Sequence, residues 1–181
     1  MILLNIGCGL TKLPGFINID SDPNVNPDQV IDIVKGLPFK DDSVETIYFS
    51  HTIEHINEKL HNQILTEFWR VLVHGGMLFL SYPEFKKCAQ NYIDNYRGQR
   101  EYWKATIFGR QLSKDDFHVS LMDTDFLIPT LQTLGFSPIF HKEEPNNPHN
   151  TIIKCFKYNE YKTYEEVLAT EIFNDTSRVS S

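Results

Sequence analysis

An apolar run, Ile2-Leu3-Leu4-Asn5-Ile6, ends in Gly7-Cys8-Gly9, and soon afterwards Pro14-Gly15 breaks the chain ahead of a second run, Phe16-Ile17-Asn18-Ile19, that closes on Asp20. Short apolar runs bounded by turn residues read as buried strands. Between them, Leu10 to Leu13 leaves room for barely one helical turn before the Pro-Gly break. Val30 to Ile33 predicts a third strand and Val44 to Ser50 a clearer fourth. Each ends in polar or small residues, as strand ends lining a ligand crevice often do.

Leu60, Ile64, Leu65, Phe68, Trp69 and Leu72 recur at helical spacing, which predicts a helix from Glu58 to Leu72 with Gly75-Gly76 as its stop. Met77 to Ser81 is wholly apolar, as suits a fifth strand covered on both faces. Alternating helix and strand imply an α/β sheet with right-handed crossovers. A further helix is expected within 123–134, broken or delayed by Pro129 and capped by Gly135. Ser137 to His141 and Thr151 to Phe156 read as the last strands, and Tyr161 to Phe173 as a final helix before a frayed tail.

With 181 residues, 41% of them hydrophobic, the chain can bury one substantial core. One domain is expected over 1–160, carrying a helical, aromatic insertion at about 84–118, with 161–181 as the C-terminal helix and tail. The net charge of −7 argues against a protein built to grip nucleic-acid phosphates. Lys86, Lys87, Arg97, Arg100, Lys104 and Arg110 read as solvated helix faces. Cys8, Cys88 and Cys155 are odd in number and form no CxxC pair, so a reducing compartment is expected. The apolar start is too short for a signal peptide, and no run approaches the roughly 20 residues of a membrane span. A cytoplasmic, membrane-free location follows as an expectation.

Glycines after a strand let the backbone approach a ligand closely. Asp20, at the end of the next strand, can accept hydrogen bonds from both hydroxyls of a ribose. A dinucleotide also wants a third glycine and a helix N-terminus facing its pyrophosphate. The Pro-Gly break leaves no room for that helix, which favours S-adenosylmethionine, a nucleoside cofactor without phosphate.

Leu4-Asn5-Ile6-Gly7-Cys8-Gly9 with Pro14-Gly15-Phe16-Ile17-Asn18-Ile19-Asp20 resembles the opening of a compact branch of class I, type 11-like methyltransferases. Asp32 through Ser43, with its Leu37-Pro38-Phe39, is similar to the family's next segment. So are Ser50-His51-Thr52-Ile53-Glu54-His55-Ile56 and the run Glu67 to Leu72 with Gly75-Gly76. The resemblance covers about residues 2–82, with a weaker stretch near 118–136. It implies a Rossmann-like three-layer sandwich with a mostly parallel seven-stranded sheet, order 3-2-1-4-5-7-6, the last strand antiparallel. It further implies that Gly7, Cys8 and Gly9 pass beneath the methionine part, that Asp20 holds the ribose, that Asp32 and Ile33 bound the adenine, and that Ser50 and His51 flank the cofactor. Asn5 stands in place of the usual acidic residue and Thr11 in place of the usual third small one, which alters the contacts to the methionine amino group.

His51-Thr52-Ile53-Glu54-His55 also satisfies HxxEH, a zinc motif of metallopeptidases. That motif needs both imidazoles on one helical face, whereas His51 directly follows a strand, so no bound metal and no stoichiometric zinc are expected. His55, and Tyr82 and Glu84 just after the fifth strand, are the candidate catalytic groups; the alternatives are a helix anchor for His55 and a turn with Pro83 for the other two. His118 reads as packing and Asp115 and Asp116 as solvated turn residues. Tyr92, Tyr96, Tyr102, Trp103 and Phe108 suggest a substrate lid, with a homodimer contact or core packing as alternatives.

The expected function is methyl transfer from S-adenosylmethionine to a small-molecule or sugar-type acceptor. A nucleoside-binding module without turnover and a zinc hydrolase are the alternatives.

Overall fold

The computed structural model describes residues 1–112 and 116–158. Strands β1 (Leu3–Ile6), β2 (Ile17–Asp20), β3 (Gln29–Val30) and β4 (Val44–Ser50) precede helix α1 (His61–Val71) and strand β5 (Leu72–Pro83). Helices α2 (Phe85–Ile93), α3 (Arg100–Phe108) and α4 (Thr124–Thr133) lead into β6 (Phe136–Glu143) and β7 (Asn150–Lys157). The helix expected at 161–173 and the tail after it lie outside the described residues.

The strands form one sheet in the order β3-β2-β1-β4-β5-β7-β6. β7 runs antiparallel to both of its neighbours, and the pairings from β3 to β5 are parallel. Order and orientation are those of the expected Rossmann-like methyltransferase sheet. The first three crossovers carry no α-helix: β1 joins β2 through turns, and single 3-10 turns at Pro23–Val25 and Ile33–Lys35 serve the next two. α1 lays Ile64, Leu65, Phe68 and Val71 on the sheet, with Phe68 meeting Phe49 of β4 edge to face at 5.0 Å. No helix among the described residues is long and apolar enough to cross a membrane.

Three local expectations are corrected. α1 ends at Val71, ahead of the Gly-Gly pair, because Leu72 turns extended and pairs at once with Val44. Gly75 and Gly76 instead serve an irregularity within β5, where Thr46 pairs with Met77. Gly75 takes φ +79°, and a β-carbon on Gly76 would lie 2.9 Å from the Val73 carbonyl oxygen. α4 runs unbroken through Pro129. The proline forfeits only the bond to the Asp125 carbonyl, in a first turn open to water, while the Asp123 carboxylate caps the helix by accepting from the Asp125 N–H at 2.9 Å. β3, expected over four residues, spans two.

Candidate functional site

The carboxyl ends of β1, β2 and β4 open onto a cavity of about 700 Å³. This is the crevice at which open α/β sheets bind ligands, and its volume lies in the range of small-molecule sites. Gly7 and Gly9 form one wall, and Asp20, Asp32 and Ile33 another. His51 and His55 stand across from them in the chain order, after β4.

Asp20 joins the two walls. Its Oδ2 accepts from the Gly9 N–H at 2.8 Å and its Oδ1 from the Asp22 N–H at 3.0 Å. Each oxygen keeps a lone pair for a ribose hydroxyl. Asp32 caps the 3-10 turn that follows it, accepting from the Val34 N–H at 3.2 Å, and it pairs with Lys35 at 3.3 Å. Ile31, Ile33 and Val34 supply an apolar edge on the same side.

Asn5, Cys8 and Ser50 do not line the cavity. Asn5 is buried and donates to the Thr11 carbonyl at 3.0 Å and to Asn18 Oδ1 at 2.9 Å, so it staples the glycine loop to β2 from beneath. Cys8 is buried, with its Sγ 3.0 Å from Lys12 Nζ, which also donates to the Gly9 carbonyl. Ser50 ends β4, and its carbonyl accepts from the Thr52 hydroxyl at 3.0 Å. Sequence patterning missed Thr52, which lines the cavity directly against Gly7.

Tyr82 and Glu84 are likewise not brought to the cavity. The Glu84 carboxylate is buried and accepts from the Thr124 hydroxyl and N–H at the start of α4 and from the Thr151 hydroxyl at 3.1 Å. The Tyr82 hydroxyl lies 3.0 Å from Thr124 Oγ1, and burial pushes its phenol well above the ordinary range. Both residues fasten β5 to α4 and β7. β5 simply continues to Pro83, and its end is covered by α4.

Of the three candidate catalytic groups, His55 alone reaches the cavity. Its Nδ1 lies 3.0 Å from the Phe117 carbonyl oxygen. A carbonyl can only accept, so Nδ1 carries the proton and Nε2 presents a lone pair. His51 sits in a left-handed turn at φ +50°. Burial opposes its protonation, but Glu54, 3.3 Å away, and the charge of Glu144 outweigh that and raise its pKa. His51 and His55 therefore occupy separate turns and not one helical face, contrary to the HxxEH geometry.

The outer wall comes from the segment after α3: Arg110, Leu112, Asp116, Phe117 and Val119. Burial opposes ionisation of Asp116, yet the Leu112 N–H and the Arg110 guanidinium hold its carboxyl below the usual range. Asp116 is thus a cavity residue, not a solvated turn. The expected lid aromatics contribute nothing to the lining; Trp103 is buried against Tyr102 and His149.

Among the described residues the charged lining is Asp20, Asp22, Asp32 and Asp116 against Arg110, itself paired with Asp116 at 3.3 Å. Such a field favours a ligand carrying sulfonium and ammonium charges and disfavours a pyrophosphate. The helix N-terminus a pyrophosphate would need is absent between β1 and β2.

Residues 8–80 match a family described as a methyltransferase domain. No curated protein matches the sequence. Among solved structures, the fold is similar to an S-adenosylmethionine-dependent methyltransferase from Methanosarcina mazei, at 17% identity, TM-score 0.62, covering 87% of this chain and 92% of that one. It is similar to another from Archaeoglobus fulgidus, at 15% identity, TM-score 0.61, covering 86% and 85%. A third, at 12% identity and TM-score 0.59, is a Haemonchus contortus phosphoethanolamine N-methyltransferase in complex with phosphomonomethylethanolamine and S-adenosylhomocysteine, with 88% of this chain and 49% of that one covered. Residues 8–80 thus match a methyltransferase domain, and the sheet order is that of the Rossmann-like methyltransferase fold.

Proposed function

We propose that this chain transfers the methyl group of S-adenosylmethionine to a small-molecule acceptor, with sugars and similar hydroxylated metabolites as the first class to test. The observation that carries this reading is the Asp20 carboxylate, held by the Gly9 and Asp22 N–H groups at the mouth of a cavity with an acidic lining. The cofactor supplies an activated methyl group: attack by an acceptor lone pair breaks the carbon–sulfur bond, and the bonding electrons return to sulfur. The protein then has mainly to hold nucleophile, carbon and sulfur in line.

In this reading Gly7 and Gly9 lie against the methionine part, Asp20 takes the ribose hydroxyls, and Asp32 with Ile33 borders the adenine. His51 and His55 face the acceptor end together with Phe117. The His55 Nε2 lone pair is the group free for chemistry there.

Calorimetry tests the cofactor. S-adenosylmethionine should bind and NAD should not, and Asp20→Ala should weaken S-adenosylmethionine by about 1.5–3 kcal/mol, as for lost hydrogen bonds to a charged group. NAD binding more tightly than S-adenosylmethionine overturns the reading. Release of S-adenosylhomocysteine over fractionated metabolite pools tests turnover and finds the acceptor. Cofactor binding with no turnover over every pool would instead describe a nucleoside-binding module.

A further inference from the structure

The Glu54 carboxylate is 1% exposed, and neither of its oxygens has a hydrogen-bond donor among the described residues. Oε1 forms an ion pair with His51 Nδ1 at 3.3 Å, and Oε2 has no donor among the described residues. An ionised carboxylate in that state costs several kcal/mol unless a cation meets it. Two imidazoles do approach. Ligand atoms of Glu54, His55 and His118 all lie within 4.8 Å of one another, and the two rings meet edge to face at 4.8 Å.

The His55 ring is held in the manner of a metal ligand. It gives its Nδ1–H to the Phe117 carbonyl at 3.0 Å. A histidine that spends one ring N–H on a backbone carbonyl has its other nitrogen fixed in direction and free to donate a lone pair. A void of about 10 Å³, the size of one water or ion, is lined by Glu54 and His118. Donors around one ion at 2.0–2.2 Å stand closer together than 4.8 Å, so the side chains must draw in by roughly an ångström. The Glu54 carboxylate, whose Oε2 has no hydrogen-bond donor among the described residues, can turn that oxygen toward the two rings.

We propose that Glu54, His55 and His118 form a binding site for one Zn²⁺ ion. Two imidazole nitrogens and one carboxylate suit zinc rather than Mg²⁺ or Ca²⁺, which take oxygen sets. The ligands differ from those of the HxxEH motif: His118, more than sixty residues away in sequence, replaces His51, and Glu54 coordinates instead of standing by as a base. Because His55 also lines the large cavity, the fourth position is open to water or to an acceptor oxygen at the acceptor end. The site stands on these ligands and does not depend on which acceptor is used.

The full chain, prepared without an affinity tag and stripped with chelator, is titrated with Zn²⁺ and, separately, Co²⁺. One zinc per chain should survive gel filtration, and the Co²⁺ form should show visible absorption bands of a low-coordinate nitrogen–oxygen site. His118→Asn and Glu54→Gln should each weaken zinc by about tenfold or more, while His51→Asn stays within about threefold. S-adenosylmethionine affinity and the thermal transition report that each variant is folded. If Glu54→Gln does not fold, His118→Asn decides alone. Absence of stoichiometric zinc, or zinc retained at full affinity in His118→Asn, overturns the proposal whether or not the protein is a methyltransferase.

Discussion

Gly7 and Thr52 are packed so closely that no side chain fits between them: a β-carbon on Gly7 would lie 2.2 Å from Thr52 Oγ1 and 2.4 Å from its Cγ2. Gly7 also holds φ +67°, where an L-residue pays roughly 1–2 kcal/mol. Gly7→Ala should therefore destabilise the protein by about 2–4 kcal/mol, backbone strain and overpacking together. Thr52→Gly in the same chain should recover the packing part and leave the backbone part. Denaturant unfolding of both singles and the double mutant measures the coupling, and full additivity would show that the two residues are not in conflict.

Arg70 on α1 ties down the loop ahead of β4. It bonds Glu67 through two nitrogens, at 2.8 and 2.6 Å, reaches Asp41 at 2.6 Å, and donates to the Phe39 and Leu37 carbonyls. Arg70→Ala should cost about 1–2 kcal/mol, reduced from the buried-pair figure because the side chain is 33% exposed. Arg70, helped by the Leu37 N–H against the effect of burial, keeps the Glu67 carboxyl below its usual range. The stability Glu67 contributes is thus complete above pH 4.5 and is lost as pH falls through its folded value. Acid unfolding curves of wild type and Glu67→Gln should converge at low pH.

His149 predicts a second, milder acid sensitivity. Burial lowers its pKa, overriding the opposing charge of Glu144, so the folded state resists a proton that the unfolded chain accepts near 6.5. Its contribution is intact above pH 6.5 and fades as pH drops toward the folded value. His149→Phe keeps a ring against Trp103, at 5.1 Å in the native protein, and removes the titration. The loss in melting temperature between about pH 7.5 and 5.5 should be smaller in this variant than in wild type; an equal loss would assign the sensitivity to other groups.

Trp103→Ala should destabilise the fold by about 3–5 kcal/mol, the range for truncating a buried tryptophan. Trp103 is 4% exposed and donates its indole N–H to the Tyr96 carbonyl at 3.1 Å. Since it contributes nothing to the cavity lining, S-adenosylmethionine affinity should stay within about twofold while the variant is folded. A large loss of affinity with unchanged stability would restore the lid role for α3.

The first half of the site was legible because its signals are local. A strand, a glycine turn and a carboxylate at the next strand end fall within twenty residues, and the Pro-Gly break tells against a pyrophosphate helix. Thr52 was not legible, since its contact with Gly7 exists only once β1 and β4 pair. Tyr82 and Glu84 misled for a related reason. Strand ends open onto the crevice only where nothing covers them, and here the start of α4 does. The outer-wall residues Arg110, Leu112, Asp116, Phe117 and Val119 belong to no motif, and their place depends on where α3 ends.

The backbone carbonyl of Glu54 accepts from the N–H groups of Val119 and Ser120, at 2.9 and 3.2 Å. Val119, which lines the cavity, is therefore tied by its backbone to the residue whose buried carboxylate pairs with His51. A cation bound by the Glu54 carboxylate on the proposed site should therefore slow amide exchange at Val119 and Ser120, whose N–H groups bond the carbonyl of the same residue.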